Sequence, residues 1–263
     1  MPPSNAAFPR IENSKLPAGL TAFLKGRQII LPLLAKGEGW LAVDKPAGLT
    51  VHNLPGQDLC SIVGDALKKD PIGREIGYDS SVGIHPVHRL DRETSGVMLM
   101  ACDQMVLREI STRMQDDSTR KSYAAILHGR LPVPPDSKEW IDWGWPLTKS
   151  AGGRRHPAGK GKQVPSRTRV QVIRHTDRYT LVTCELETGR KHQIRRHAKL
   201  AGHAVVGDDR YGTRRSVEFL KQNGFDRLAL HARSLTIRLP GESSPLEIRS
   251  PALPQALQSL LDE

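Results

Sequence analysis

The organisation of this chain follows from one stretch, His85-Pro86-Val87-His88-Arg89-Leu90-Asp91-Arg92-Glu93-Thr94-Ser95-Gly96-Val97-Met98-Leu99-Met100. Within it a dense polar turn, residues 89–96, runs directly into an apolar segment, residues 97–101, which is typical of a β-strand. A carboxylate at such a junction, here Asp91, is held by a rigid element while its loop stays accessible. An ordinary charged turn with a solvated Asp91 has the same composition, because most charged side chains lie at protein surfaces.

The charge balance of the whole chain favours a polyanionic partner. The 263 residues include 39 Lys and Arg against 28 Asp and Glu, a formal net charge of +11. Such an excess of positive charge favours a nucleic acid over a membrane surface as the partner. The length allows one large domain or two small ones, and 38% hydrophobic with 25% charged residues is ordinary for a soluble globular protein.

The cysteines and the apolar runs bear on the cellular compartment. Cys60, Cys102 and Cys184 are odd in number, far apart and without CxxC spacing, which predicts free thiols of a reducing compartment. Residues 1–10 lack the basic start and apolar core of a signal peptide, and no later apolar run approaches a membrane span. We therefore expect a cytoplasmic protein without a membrane partner.

Hydrophobic periodicity and turn signals predict the order of elements. We expect a loosely packed extension over residues 1–26 and a single domain over residues 27–263. Apolar runs bounded by turn residues predict strands at 29–34, 40–43, 121–129, 168–174, 179–187 and 227–239. Capping residues and helical spacing predict helices at 59–68, 103–116, 191–201 and 254–261, with a loop at 73–83.

Residues 149–169 form a basic loop without any acidic residue. Glycines make such a segment flexible, and unbroken positive charge makes it repel itself. It is either a solvated loop or a loop that contacts RNA, and uncompensated cations gain most from displacing counterions on phosphates. Its cations are Lys149, Arg154, Arg155, Lys160, Lys162, Arg167 and Arg169.

The predicted helix at 191–201 has two chemically different faces. At roughly 100° per residue, Ile194 and the alanines that follow it share one face. The side chains predicted to point the opposite way are His192, Arg196 and Lys199. Arg195 lies on the boundary, where an arginine can bury its stem while its guanidinium reaches a cleft.

Several segments together resemble the RluA-type pseudouridine synthases. The segment His88–Gly96 resembles the signature of that family, with the family's catalytic aspartate at Asp91. Four further segments match family patterns in the same order, so that the resemblance covers roughly residues 29–255: a Lys-Pro-x-Gly turn at 45–48, Lys-x-Tyr-x-Ala at 121–125, Thr-Gly-Arg-x-His-Gln-Ile-Arg at 188–195, and a core strand at 227–239. One departure is His203-Ala204, where the family usually has His-Pro before a Gly-Asp pair.

The resemblance implies both a fold and a reaction. The fold is α+β, with a mixed, largely antiparallel sheet, flanking helices and a central basic catalytic cleft. The reaction isomerises uridine to pseudouridine in structured RNA and needs no cofactor. In the family the residue at Asp91 is the catalytic carboxylate, Tyr123 lies against the uracil, and Arg195 pairs with the aspartate. Arg89 fills the space that the extruded uridine leaves.

The resemblance and the charges together predict the RNA contacts and the partner. We expect a monomer acting on tRNA or rRNA. The doubled arginine, Arg195-Arg196, is more similar to relatives that modify tRNA, which favours tRNA. The side chains predicted to bind RNA are Arg89, Arg154, Arg155, Lys160, Lys162, Arg190, His192, Arg196 and Lys199.

Other classes of protein are less consistent with the sequence. The histidines have no spacing or acidic and cysteine partners that complete a metal site. His-Arg-Leu-Asp is shared with kinase catalytic loops, but no glycine-rich phosphate loop or Asp-Phe-Gly accompanies it. Two alternatives stay open: a catalytically silent RNA-binding protein, and a nucleoside or sugar hydrolase that uses Asp91 with Glu93.

Overall fold

The structure is a computed structural model that describes residues 19–133 and 138–262. The chain forms two compact units. The first comprises Met1–Arg120 and Ser234–Pro251, and the second comprises Lys121–Arg233 and Ala252–Glu263. The domain bounds given above, 1–26 and 27–263, stay a prediction.

The described residues form short strands and a smaller number of helices. The strands are β1 (Leu20–Leu24), β2 (Arg27–Leu31), β3 (Leu33–Gly37), β4 (Trp40–Lys45), β5 (His85–Pro86), β6 (Ser95–Ala101), β7 (Arg120–His128), β8 (Trp140–Trp143), β9 (Leu147–Thr148), β10 (Gln163–Val164), β11 (Thr168–His175), β12 (Tyr179–Leu186), β13 (Leu230–Ile237) and β14 (Leu246–Arg249). The helices are α1 (Leu59–Leu67), α2 (Pro71–Glu75), α3 (Gln104–Arg113), α4 (Gln193–Leu200), α5 (Arg214–Gln222) and α6 (Gln255–Ser259).

The first unit is built around β6. Its seven residues are all buried, as expected for a continuous apolar run, and β4 and β5 pair with it antiparallel. β3 pairs with β4, and β14 pairs with the end of β13. The predicted cap of α1 is confirmed, because Asp58 accepts a hydrogen bond from Ser61 N at 2.8 Å. Asp103, predicted as the first residue of the next helix, is instead the capping residue of α3.

The second unit is built around the predicted hairpin of β11 and β12. The pair is antiparallel, with buried and less buried residues alternating along β11. β12 pairs with β7, and β11 pairs with β8, again antiparallel. The predicted α+β class with a largely antiparallel sheet is confirmed. No helix in the described part of the chain is long and apolar enough to cross a membrane.

Part of the predicted N-terminal extension is ordered structure. Residues 1–18 lie outside the described residues, but residues 19–26 contain β1, which pairs with β2. Leu20 is fully buried in this pairing. The prediction of loose packing is therefore wrong for residues 19–26, because the alternation of buried and exposed residues there was too short to be recognised. The predicted loop at 73–83 begins inside the short helix α2, whose proline stands at the first position.

The basic loop is folded around an arginine that was predicted to face outward. Arg196 on α4 has 0% relative exposure. Its guanidinium donates to the carbonyl oxygens of Pro157 (2.6 Å), Thr148 (3.0 Å) and Lys191 (3.3 Å). It also donates to the carbonyl of Ala158 and the hydroxyl of Thr148. The predicted outward orientation of Arg196 is wrong, because a guanidinium satisfied by five oxygen contacts can leave water.

A second arginine attaches the same loop to the turn after α4. Arg154 is half-buried, and its guanidinium donates to the carbonyls of Gly212 and of Asp209 (2.8 Å for the latter). In return, Arg210 donates to the carbonyl of Gly152 at 2.9 Å. The first half of the basic loop is thus packed within the second unit, so the alternative of an entirely solvated loop does not describe this half.

The buried contacts of Arg196 predict a large loss of stability in Arg196→Lys. A lysine has three donors on a single nitrogen and cannot satisfy the same carbonyls, and each unsatisfied buried group costs about 1–3 kcal/mol. We expect the free energy of unfolding to fall by about 3 kcal/mol, with faster tryptic cleavage within residues 149–162. Urea denaturation and limited proteolysis measure both effects. Arg155→Lys, which changes an exposed residue of the same loop, is the control, and equal losses in the two variants would contradict the structure.

Burial of His231 predicts a pH-dependent stability. Its pKa is lowered to about 4 by desolvation, with smaller effects of Arg227 and Arg233, whereas an unfolded histidine titrates near pH ~6.5. The unfolded chain binds the extra proton between these values, so stability is complete above pH ~6.5 and is lost as the pH falls toward 4. From pH 6.5 to 5 the loss is about 2 kcal/mol for this group. His231→Asn should remove that part of the pH slope in denaturant titrations, and the exposed His156→Asn should leave it in place.

Candidate active site

The turn that carries Asp91 is held against β6 from both sides. On its N-terminal side, the backbone amide of Leu99 donates to His88 Nε2 at 3.0 Å. On its C-terminal side, Thr94 N donates to the carbonyl of Asp91 at 3.1 Å, and Thr94 itself is buried. Leu90 is also buried, whereas the side chain of Asp91 is only half-buried. The predicted arrangement is therefore present: a carboxylate on a fixed turn that directly precedes a buried strand.

A fully buried lysine ties this turn to a second one. Lys45, the last residue of β4, donates from Nζ to the carbonyls of Leu49 (2.8 Å), Pro46 (2.9 Å) and Arg92 (3.2 Å). Gly48 adds a backbone hydrogen bond to the same Arg92 carbonyl at 2.8 Å. Gly48 has φ 83°, a left-handed conformation that glycine adopts without strain. The 45–48 segment is thus structural, as its proline and glycine predicted, and Lys45 positions the Asp91 turn.

The two arginines of the Asp91 turn are more exposed than Asp91 itself. Arg89 is exposed, as its predicted contact with RNA requires. Arg92 is exposed and lies 3.2 Å from the carboxylate of Glu93. Because Glu93 lies beside Arg92, its negative charge is partly compensated within the turn. A hydrolase that uses Asp91 with Glu93 would need one carboxyl group protonated and the other ionised, and a neighbouring arginine favours the ionised form of a carboxyl group.

Tyr123 and Arg195, the other two predicted catalytic residues, belong to the second unit, whereas Asp91 belongs to the first. Tyr123 stands on β7 opposite Cys184 of β12 and is largely buried. Burial raises the pKa of the Cys184 thiol, so that it stays protonated and unreactive. Tyr123 is thus held on a regular strand, opposite a cysteine whose thiol stays protonated.

Arg195 forms a buried bidentate ion pair with Asp208. The distances are 2.7 Å from Nε to Oδ2 and 2.8 Å from Nη2 to Oδ1, and both side chains are almost completely buried. Asp208 Oδ1 also accepts from the backbone amides of Arg210 and Tyr211, each at 3.0 Å. Such a charge-assisted fork fixes the guanidinium plane. Sequence reasoning missed Asp208, although the Gly207-Asp208 pair was a signal that could have found it.

His192 also contacts the turn that contains Asp208. It precedes α4 with φ 55°, and its Nδ1 lies 3.1 Å from the hydroxyl of Tyr211. The guanidinium of Arg195 lies over the ring of Tyr211, 5.5 Å from its centroid. The predicted outward orientation of His192 is thus only partly correct, because its ring packs edge-on against a buried tyrosine. Lys199 is half-buried.

Two buried polar residues of α4, Gln193 and His197, hold this helix in place. The side-chain amide of Gln193 accepts from Thr188 Oγ1 at 2.7 Å and donates to Thr168 Oγ1 at 3.0 Å. His197 Nδ1 lies 2.9 Å from the same threonine hydroxyl, and its Nε2 lies 2.9 Å from the carbonyl of Trp145. Burial lowers the pKa of His197, so the imidazole is neutral at pH 7 and is a structural residue.

The remaining predicted RNA ligands are accessible. Arg155, Lys160, Lys162 and Arg190 are exposed, in contrast to Arg154 and Arg196. Within residues 19–133 and 138–262, no three His, Cys, Asp or Glu side chains are grouped so that they could hold a metal ion. Cys60, Cys102 and Cys184 are free thiols, as predicted.

Comparisons with known proteins agree with these motifs. A family model described as RNA pseudouridylate synthase matches residues 39–200. Ribosomal large subunit pseudouridine synthase C of Vibrio vulnificus (strain CMCP6) is 34% identical over 227 residues, which cover 84% of this chain and 66% of the relative. The protein of that name from Escherichia coli (strain K12) is 34% identical over 239 residues, covering 87% and 69%. This chain spans about two thirds of the length of these relatives.

Two solved structures resemble the whole fold. Human RNA Pseudouridylate Synthase Domain Containing 4 has a TM-score of 0.65 and 26% identity, covering 88% of this chain and 91% of that one. Human RNA Pseudouridylate Synthase Domain Containing 1 has a TM-score of 0.63 at 21% identity, a likeness that shows the fold. The family model covers more than half of the chain and includes Asp91, Tyr123 and Arg195, and this chain belongs to the RNA pseudouridylate synthase family.

Proposed function

We propose that this protein is an RNA pseudouridine synthase with Asp91 as its catalytic carboxylate. The observation that carries the proposal is the Asp91 turn, which lies inside the matched family region and is fixed by Lys45 and His88 while its carboxylate stays half-exposed. The reaction breaks the bond between N1 of uracil and C1′ of ribose, turns the base, and forms a bond from C5 to C1′. The hydrogen on C5 leaves as a proton and N1 gains one, so that atoms and electrons balance without a redox partner.

The three predicted catalytic residues have complementary roles in this proposal. Asp91 acts either as a nucleophile at C1′ or as a base that removes a ribose proton, and both roles require the ionised carboxylate. The role of Arg195 as the partner of the aspartate rests on the family resemblance, and its guanidinium plane is set by Asp208. Tyr123 stacks on the uracil after the uridine has left its helix or loop, a step that costs a few kcal/mol. Arg89 fills the vacated position.

Exposed cations are proposed to hold the RNA backbone. Arg155, Lys160 and Lys162 are exposed and can approach phosphates, whereas Arg154 and Arg196 would first have to leave internal carbonyls. Arg190 is also exposed and would give up one long hydrogen bond, 3.4 Å, to the carbonyl of Pro165. Phosphate contacts of this kind provide most of the salt-dependent affinity for RNA. His192 and Lys199, both half-buried, are proposed to contribute less.

We propose ribosomal RNA of the large subunit as the substrate. The curated relatives carry names of ribosomal large subunit enzymes. The expected preference for tRNA depended on the doubled arginine Arg195-Arg196, and the second of these is buried against loop carbonyls. A side chain in that position cannot read an RNA loop directly, so the doublet no longer supports tRNA. We further propose that the protein works as a monomer in the cytoplasm.

Asp91→Asn tests the catalytic assignment. The amide keeps the shape of the carboxylate but is a poor nucleophile and a poor base, so we expect product formation to fall roughly a thousandfold or more. RNA affinity should stay close to that of the unchanged protein, because phosphate contacts supply most of it. Pseudouridine formation and RNA binding are measured on one preparation, together with the melting temperature.

Glu93→Gln is the matched control, because it removes a neighbouring carboxylate of the same turn. It should retain most of the activity. Full activity in Asp91→Asn would show that the wrong residue was chosen. Release of free uracil by the unchanged protein would favour a hydrolase, and RNA binding without any product would favour a silent RNA-binding protein.

Mapping of pseudouridine in cellular RNA tests the substrate. Cells that lack the gene should lose at least one pseudouridine in large-subunit ribosomal RNA and regain it with the unchanged gene, but not with the Asp91→Asn variant. A loss confined to tRNA would refute the ribosomal assignment while leaving the proposed reaction intact.

A further inference from the structure

The hairpin of β1 and β2 presents an apolar and aromatic face to solvent. Phe23 is 57% exposed and Ile30 is 53% exposed. In the strand register Phe23 lies opposite Gln28, and Thr21 lies opposite Ile30. Residues that are opposite in an antiparallel pair share one face, and diagonal neighbours lie within reach of an aromatic ring. The four side chains therefore form one outer face, which we call the hairpin face.

The other side of the hairpin fixes it to the first unit. Leu20 and Leu31 are opposite each other and both are buried, and Ala22 is buried between them and the tip. β1 packs against α1 through this inner side. The hairpin is thus an anchored element, and exposure of Phe23 is not the consequence of a frayed end. Exposed side chains of this kind contribute little to the fold itself.

Two cations stand at the tip of the hairpin. The two-residue turn is Lys25-Gly26, with φ 51° and 75°, the left-handed pair that a tight hairpin turn requires. Arg27 follows directly, and both cations are exposed. Residues 19–37 contain no Asp or Glu. Neither Lys25 nor Arg27 forms an ion pair with another of the described residues, and no acidic residue lies near them in the segment 19–37.

We propose that the hairpin face, together with Lys25 and Arg27, binds a single-stranded segment of the RNA substrate. A base stacks on the ring of Phe23, Ile30 borders it, and the two cations contact the adjoining phosphates. This combination of an exposed aromatic ring with neighbouring cations is the usual platform for single-stranded nucleic acid. The proposal extends the proposed function, because it adds a binding surface outside the predicted catalytic and RNA-binding residues.

The charge at the tip favours RNA over a protein partner. An acidic protein surface would also pair with the cations, but the chain as a whole carries a net charge of +11, which favours a long polyanion as the partner. A second copy of this chain would bring the same uncompensated cations toward each other across a symmetric interface. Stacking on Phe23 is tolerant of base identity, so the hairpin face would increase affinity for RNA without selecting a sequence.

The test compares variants in binding to a single-stranded oligouridylate and to a blunt RNA duplex of the same length. Phe23→Ser should weaken binding to the single strand roughly tenfold, which is the range of one stacked base, and should affect the duplex little. The matched control is Phe219→Ser, because Phe219 on α5 is an aromatic residue of similar exposure, 51%. Its binding should stay unchanged. Equal affinities of Phe23→Ser and the unchanged protein for the single strand would overturn the proposal.

The cations are tested separately. Lys25→Asn removes one charge, and asparagine tolerates the left-handed conformation of this turn position. Arg27→Gln removes the other charge. Together they should reduce the slope of log affinity against log salt by about 1.4, because each phosphate contact of a single strand contributes about 0.7. An unchanged slope in the two cation variants would overturn the proposal. Sedimentation that shows a dimer for the unchanged protein and a monomer for Phe23→Ser would also overturn it, in favour of self-association through the hairpin face. Pseudouridine formation by the unchanged protein is measured in parallel, so that failure of the reaction and failure of the hairpin face are distinguished.

Discussion

A cation that leaves water must be surrounded by oxygen atoms, and this constraint organises the regions around the predicted catalytic residues. The ammonium group of Lys45 donates hydrogen bonds to three backbone carbonyls from two turns. The guanidinium of Arg196 donates to carbonyls of the basic loop, and the guanidinium of Arg195 donates to the carboxylate of Asp208. Each solution needs chain segments that are distant in sequence, so each buried cation joins segments that would otherwise be independent. Lys45 connects residues 47 positions apart.

These contacts also explain what the sequence could and could not predict. Capped helices such as α1 and the hairpin of β11 and β12 were predictable, because their signals are local: a capping aspartate, a 3.6-residue period, an alternation. The helical periodicity of α4, by contrast, led to a wrong prediction for Arg196. The periodicity assigns Arg196 to an outer face, but the basic loop packs over this part of α4, so that Arg196 is buried. A helical period identifies the outer face only when no other segment covers it.

The same limit applies to the site. The resemblance supplied Asp91, Tyr123 and Arg195, and residue types alone would have left Asp91 as a charged turn residue. Asp208 lies 13 positions after Arg195, a separation without helical or strand periodicity, so that only the Gly207-Asp208 pair could have indicated it. Lys45 was equally invisible, since a lysine beside a proline-glycine turn is usually solvated. The motif at 188–195 thus combines a predicted catalytic arginine with a glutamine, Gln193, whose bonds fix the helix that carries it.

The buried arginines change how the positive charge of this chain should be interpreted. A count of Lys and Arg treats all of them as contacts for phosphate, but Arg196 and Arg154 use their donors on carbonyls inside the second unit. Their charges are nevertheless not lost. The described partners of Arg196 are neutral oxygens, so its charge is not cancelled as that of Arg195 is by Asp208. A charge held in a region of low dielectric is screened less than one in water. Arg196 therefore adds to the positive potential of the basic loop from a buried position. In the proposed function, the exposed Arg155, Lys160 and Lys162 contact RNA in an electric field to which the buried Arg196 contributes.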